Sequence, residues 1–272
     1  SIFPIAQILE DPTRALSTDE VAALGDQAFI NADTPRPPVT FTHSAIWLRF
    51  TVSNTTEQMC HRWLTVGDPR LEDIQVHIQQ HDHWSTLQAG SHYTLEQWPV
   101  LARQPRFHLA LNAGESIQVI VRVASHSAMM VNPMLWDDTA LLNATSTNQL
   151  LDGLTLGILL LLLPVGLIVT ALTRTRLMLL ISLALLFYLA LVGVVNGYLL
   201  YWPALMPWSR QLVACLSTGA FVLFFSYTFC LLRVRLLDTW LRTVFIAYIV
   251  CGGLILLWGV AGDFVWSRQL FS

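Results

Sequence analysis

From residue 45 the chain alternates. Ile46, Leu48, Phe50 and Val52 are apolar, while Trp47, Arg49, Thr51 and Ser53 share the opposite parity. A period of two marks a strand with one face in a core. The same period recurs at Leu64 and Val66, at Ile74, Val76 and Ile78, and at Phe107, Leu109 and Leu111. It returns at Ile117, Val119, Val121 and Val123, and "MMVNPMLW" closes the series. About seven or eight short strands, set apart by Gly, Pro, Asn and Asp turns, predict an antiparallel sandwich, with a jelly roll the preferred topology. Upstream, "STDEVAAL" places Ser17 three residues before Glu20, the capping-box spacing that opens a short helix. Pro35, Pro37 and Pro38 then break the chain ahead of the sheet.

Beyond residue 150 the alternation stops and charges become rare. Uncharged runs cover 153–173, 177–209, 211–232 and 243–262. Each meets the roughly 20 residues that a helix needs to cross a bilayer. Four transmembrane helices are expected, near 150–172, 177–197, 211–232 and 243–261. The organisation is therefore an all-β jelly-roll sandwich over 1–140, a linker over 141–150, and an α-helical transmembrane bundle over 151–272. Four crossings would return the chain to its starting side, so the bundle reads as truncated. Pro164 is expected to kink the first span, and Gly153 with Gly157 forms a small-xxx-small pair that would seat a neighbour. No span carries an ionisable residue at mid-depth, which argues against transport.

Charge divides the chain at the same place. Residues 1–150 hold 15 acidic residues against 8 arginines, and residues 151–272 hold 7 arginines against 3 aspartates. Nucleic acid is thereby disfavoured as a partner of the acidic first half. The loops "TRTR" (173–176) and "RVRLLDTWLR" (233–242) carry Arg174, Arg176, Arg233, Arg235 and Arg242, while Arg210 and Arg268 lie on the other side. Positive loops stay cytoplasmic, so residues 1–150 are expected outside. Only Cys60 of the four cysteines lies in that half, so no internal disulfide is available to it. The opening "SIFPIAQILEDP" has no basic region or long apolar run, so an exported domain implies a signal already removed.

The segments "EDPTRALSTDEVAAL", "AIWLRFTVSN", "VGDPRLEDIQVHI", "LNAGESIQVIVRV" and "NPMLW" occur in that order, directly before the helices. Together they resemble the type-2 extracellular domain of bacterial seven-transmembrane receptors with diverse intracellular signalling modules, over roughly residues 5–138. The resemblance implies a periplasmic jelly-roll sensor, similar to carbohydrate-binding modules, on a receptor of the bacterial inner membrane. It also implies three further helices and an output domain, a histidine kinase or diguanylate cyclase, absent from this chain. The chain itself is then no enzyme. A homodimer or another membrane sensor is the partner implied. A membrane-anchored carbohydrate-binding or envelope-interaction module without output is the alternative.

Parity sends Gln75, His77, His108, Gln118 and Arg122 outward with Trp47 and Arg49. Trp47, Arg49, His77, His108 and Arg122 form the candidate ligand set, an apolar platform with fixed donors suited to a sugar or an acidic small molecule. The competing reading packs Trp47 under the N-terminal segment and pairs Arg49 with a local carboxylate. No catalytic residues and no cofactor are expected. The "HDH" run at 81–83 reads as a hairpin turn before it reads as metal ligands, and Ca²⁺ on Asp68, Glu72, Asp73, Asp137 and Asp138 would need carboxylates that their spacing alone does not bring together. Scattered carboxylates supply no paired acid and base for hydrolysis.

Overall fold

A computed structural model describes the chain apart from residues 1, 3–5, 32–38, 41–43, 68–70, 81–82, 126–128, 233–238 and 267–272. Its two compact units are Ser1–Thr147 and Asn148–Ser272.

The first unit is an antiparallel β-sandwich. Its strands are β1 (Gln7–Asp11), β2 (Ile30–Asn31), β3 (Val39–Thr40), β4 (Ala45–Ser53), β5 (Cys60–Gly67), β6 (Asp73–Gln80), β7 (His83–Ala89), β8 (Arg106–Leu111), β9 (Ser116–Ala124) and β10 (Met129–Trp136). Six form one sheet in the order β2-β1-β4-β9-β6-β7, and four form the other in the order β3-β10-β5-β8. From β4 onward the chain repeatedly crosses between the sheets, the winding expected of a jelly roll. The alternating residues meet where parity places them. Leu48, Ile74, Val76, Val119, Val121 and Val123 of the larger sheet are fully buried, as are Leu64, Val66, Phe107 and Leu111 of the smaller. Each large side chain so buried contributes roughly 1.5–3 kcal/mol.

Two elements near the N-terminus bear on the site. The strand β1 was not expected: "QILED" is short, and its adjacent Ile8 and Leu9 hide any period of two. The helix α1 (Thr18–Ala23) begins as predicted. Ser17 Oγ accepts from Glu20 N at 3.3 Å, and Ser17 N donates to Glu20 Oε2 at 2.8 Å.

Among the helices, α2 (Asp138–Thr173), α3 (Arg176–Val195) and the Gln211–Leu231 part of α4 (Ser209–Leu231) are long and apolar enough to cross a membrane. A further helix, α5 (Thr239–Trp266), contains the apolar stretch Arg242–Leu254. The segment expected as a linker, 141–150, is helical, because α2 starts at Asp138. Asp137 opens it: its Oδ1 accepts from Ala140 N at 2.6 Å and from Thr139 Oγ1 at 2.7 Å, satisfying an orphan amide. The helix runs on through Pro164. Helix contact falls elsewhere than predicted. Among the described residues nothing lies within 4 Å of a Cβ added at Gly153 or Gly157, whereas a Cβ on Gly166 would lie 2.6 Å from Ser182 Oγ, and one on Gly219 would lie 2.4 Å from the Phe187 ring.

Candidate functional site

Across the outer face of the six-stranded sheet, register sets side chains in rows. Leu9 of β1 lies opposite Trp47 of β4, Trp47 opposite Arg122 of β9, and Arg122 opposite Gln75 of β6. The next row runs Gln7, Arg49, Ile120 and His77. This face is half covered. Val21 of α1, Phe29, Trp47 and Ile120 form a second small core, ringed by Leu9, Leu16, Ala22, Leu24 and Trp84.

Covering the face decides the fate of Arg49. Its Nε donates to Gln7 Oε1 at 2.9 Å, Nη1 to the Leu24 carbonyl at 3.1 Å, and Nη2 to Asp26 Oδ1 at 2.5 Å. Its guanidinium also lies 3.9 Å from the centre of the Phe29 ring. Arg49 is therefore a clip that holds the N-terminal segment to the sheet. Its assignment to a ligand is corrected: its fork is committed within the protein. Trp47, only 1% exposed, packs beneath that segment, as the competing reading had it.

His108 is corrected as well. Strand β8 belongs to the four-stranded sheet, so His108 lies on the opposite side of the sandwich from the other candidates. Its Nε2 is 3.1 Å from His61 Nδ1, and its ring lies 4.8 Å from that of Trp63. Parity tells inward from outward; it does not tell which sheet.

Three candidates do come together. Beyond the edge of α1 the outer face opens into a cleft of about 450 Å³, lined by Trp47, Arg122, Asp73, Gln75, His92 and Tyr93, with Arg14, Leu16, Ser17 and Thr18 along its rim. Arg122 Nη1 forms an ion pair with Asp73 Oδ2. Asp73 Oδ1 accepts from the Tyr93 hydroxyl at 2.6 Å and from Gln75 Nε2 at 3.2 Å. The Arg122 guanidinium sits 5.9 Å from the Trp47 ring. Burial, and then the bond to Asp73, pushes the Tyr93 phenol up to about 12, so it stays protonated and donates. His77 stacks on Trp47 just behind the wall, between Thr18 Oγ1 at 3.2 Å and Thr86 Oγ1 at 2.9 Å. Burial, with the charge of Arg122 adding to it, pushes its imidazole down to about 4 against a weaker upward pull from Asp73. His77 is neutral at pH 7.

Tyr93, His92 and Arg14 were not among the sequence candidates. A tight turn delivers the first two: His92 N donates to the Glu72 carbonyl at 2.8 Å, and Ser91 N to the Leu71 carbonyl at 3.2 Å. Gly90 makes this approach feasible, at φ +123° and with only 2.4 Å between an added Cβ and the Glu72 carbonyl oxygen. Gly90→Ala is expected to cost more than about 1 kcal/mol and to loosen Tyr93 from Asp73. Denaturant unfolding and the tyrosine fluorescence of the domain read both effects.

Among the described residues, no three His, Cys, Asp or Glu side chains converge. Asp73 pairs with Arg122, Asp137 caps α2, and Asp138 accepts from Trp63 Nε1 at 2.6 Å. Asp68, His81 and Asp82 lie outside the described residues.

A family comparison covers the same residues as the sandwich. Residues 4–137 match the family model described as 7TMR-DISM extracellular 2. The N-terminal domain belongs to that family. No curated protein matches the chain at a significant level. A 7TMR-DISM extracellular 2 domain followed by membrane-capable helices is the arrangement of a membrane receptor, with the sandwich as its sensor-like part.

Proposed function

We propose that the chain is the ligand-sensing and membrane-spanning part of a bacterial signalling receptor. The sandwich lies in the periplasm, the helices cross the inner membrane, and the signal passes to a cytoplasmic histidine kinase or diguanylate cyclase. The cleft beside Trp47 carries this reading. It pairs the accessible rings of His92 and Tyr93 with a hydrogen-bonded Asp73–Arg122–Tyr93 network, the mixture of apolar surface and few fixed polar groups that small-molecule sites use. The ligand is a small molecule or carbohydrate. The helix α5 serves as a fourth crossing, and a second copy or another membrane sensor is the partner within the bilayer.

The orientation rests on arginine asymmetry. Arg174→Cys, in a chain otherwise freed of cysteine, should resist an impermeant maleimide in cells whose outer membrane is permeabilised. A cysteine at exposed Ile30 should react. Labelling at 174 from outside would reverse the topology. For the cleft, Tyr93→Phe and Arg122→Gln should weaken glycan binding while the circular dichroism of the sandwich is retained. Unchanged binding in both would move the ligand elsewhere.

A further inference from the structure

Among the described residues, the charged groups lining the cleft are Arg14, Arg122 and Asp73. Sites for neutral sugars commonly use carboxylate lone pairs to accept from hydroxyl groups. Asp73 has few to spare. Its Oδ1 already accepts from Tyr93 and Gln75, and its Oδ2 is held by Arg122, leaving about one of some four acceptor positions.

Arg122 is in the reverse condition. Its side chain is only 13% exposed, and one nitrogen engages Asp73. The rest of the fork has no acceptor among the described residues, although it borders the cleft. A largely buried guanidinium with donors to spare matches the two oxygens of a carboxylate. Trp47 adds a buried indole N–H that also has no acceptor among the described residues.

The rim has an unusual backbone. Arg14 has φ +56°, a left-handed conformation that a non-glycine residue seldom adopts. Buried Asp11 holds it there: Oδ1 accepts from Thr13 N and Arg14 N at 3.0 Å each, and Oδ2 from Leu16 N at 3.1 Å. Arg14 Nη2 meanwhile donates to the Ser125 carbonyl at 3.1 Å, just past the end of β9. The result is a second guanidinium fixed at the border of the same cleft. Unfavourable backbone kept in place by its surroundings is a recurrent mark of a ligand clamp.

We propose that the cleft selects a ligand bearing a carboxylate, held by Arg122 on its floor, with the positive charge of Arg14 at the rim adding to the attraction. The proposal rests on the reading that this cleft is the receptor's ligand site. The carboxylate belongs to an acidic sugar, whose ring lies beside His92 and Tyr93, or to a small free acid.

The test is calorimetric titration of the full chain in lipid nanodiscs with methyl glucuronide, methyl glucoside and acetate. The first two share a ring and differ in the carboxylate. The glucuronide should bind at least about tenfold more tightly than the glucoside, the scale of one charge-assisted contact. Acetate as strong as the glucuronide would identify a free acid as the ligand; weaker acetate would identify an acidic sugar. Arg14→Gln and Arg122→Gln should each remove the preference, and Asp73→Asn should strengthen glucuronide binding by lifting a negative charge from the site. Arg14→Gln keeps the test open should Arg122→Gln fail to fold. Equal binding of both sugars, lost in Tyr93→Phe, would overturn carboxylate selection and leave the cleft as the site. Glucuronide binding indifferent to Tyr93→Phe, Arg14→Gln and Arg122→Gln would overturn the cleft itself. Absence of binding by both acids overturns the proposal.

Discussion

Between pH 6.5 and about pH 4 the sandwich is expected to lose roughly 2–3 kcal/mol of stability through His77. The folded protein holds this imidazole neutral down to about pH 4, whereas the unfolded chain takes up the proton near 6.5. The unfolded state therefore binds more protons within that window, and stability rises with pH across it. Above 6.5 the contribution is complete; below about 4 both states are charged and the slope ends. Asp11 acts lower. Four hydrogen bonds outweigh its burial and hold its carboxyl below 3.8, so its contribution fades only as pH falls further. Urea unfolding of the sandwich from pH 7.5 to 4, against His77→Gln, separates the two. Glutamine can still reach the Thr18 and Thr86 hydroxyls but does not titrate. A wild-type slope that persists in His77→Gln would clear His77 as its source.

Arg49→Ala is expected to lower stability by about 2–3 kcal/mol, with or without ligand present. Three hydrogen bonds and the contact over Phe29 go at once, and with them the tie between β4 and the segment after α1. The melting temperature of a domain this size should fall by about 5–10 °C. Asp26→Asn should cost much less, because the Asp26 side chain is 84% exposed and water replaces its share. A stable Arg49→Ala protein with weakened ligand binding would return Arg49 to the site.

Arg49 also shows where sequence reading stops. A period of two identified the strands and the core face, and parity placed Trp47 and Arg49 on the other side, where they are. Nothing in a local pattern says what covers that side. The cover comes from Val21 and Phe29, some twenty residues upstream, and its arrival turns an exposed donor into a clip. His108 failed for a related reason, since parity carries no information about sheet membership. Tyr93 and His92 lie in a turn without periodicity, and only the approach of Gly90 to Glu72 reveals that they reach the sheet. The capping box at Ser17 and the apolar spans were legible because each depends on neighbours a few residues away.

The second small core has a kinetic consequence. Residues 16–29 occupy the middle of the outer face as a tethered competitor, at an effective concentration on the order of millimolar or above. A molecule seeking Ile120 or the covered side of Trp47 would have to wait for that segment to lift. Its rate of association would then follow the opening of the chain rather than diffusion, and become insensitive to its own concentration once that is high. The cleft past the edge of α1 carries no such toll, so rapid recognition belongs to that end of the sheet.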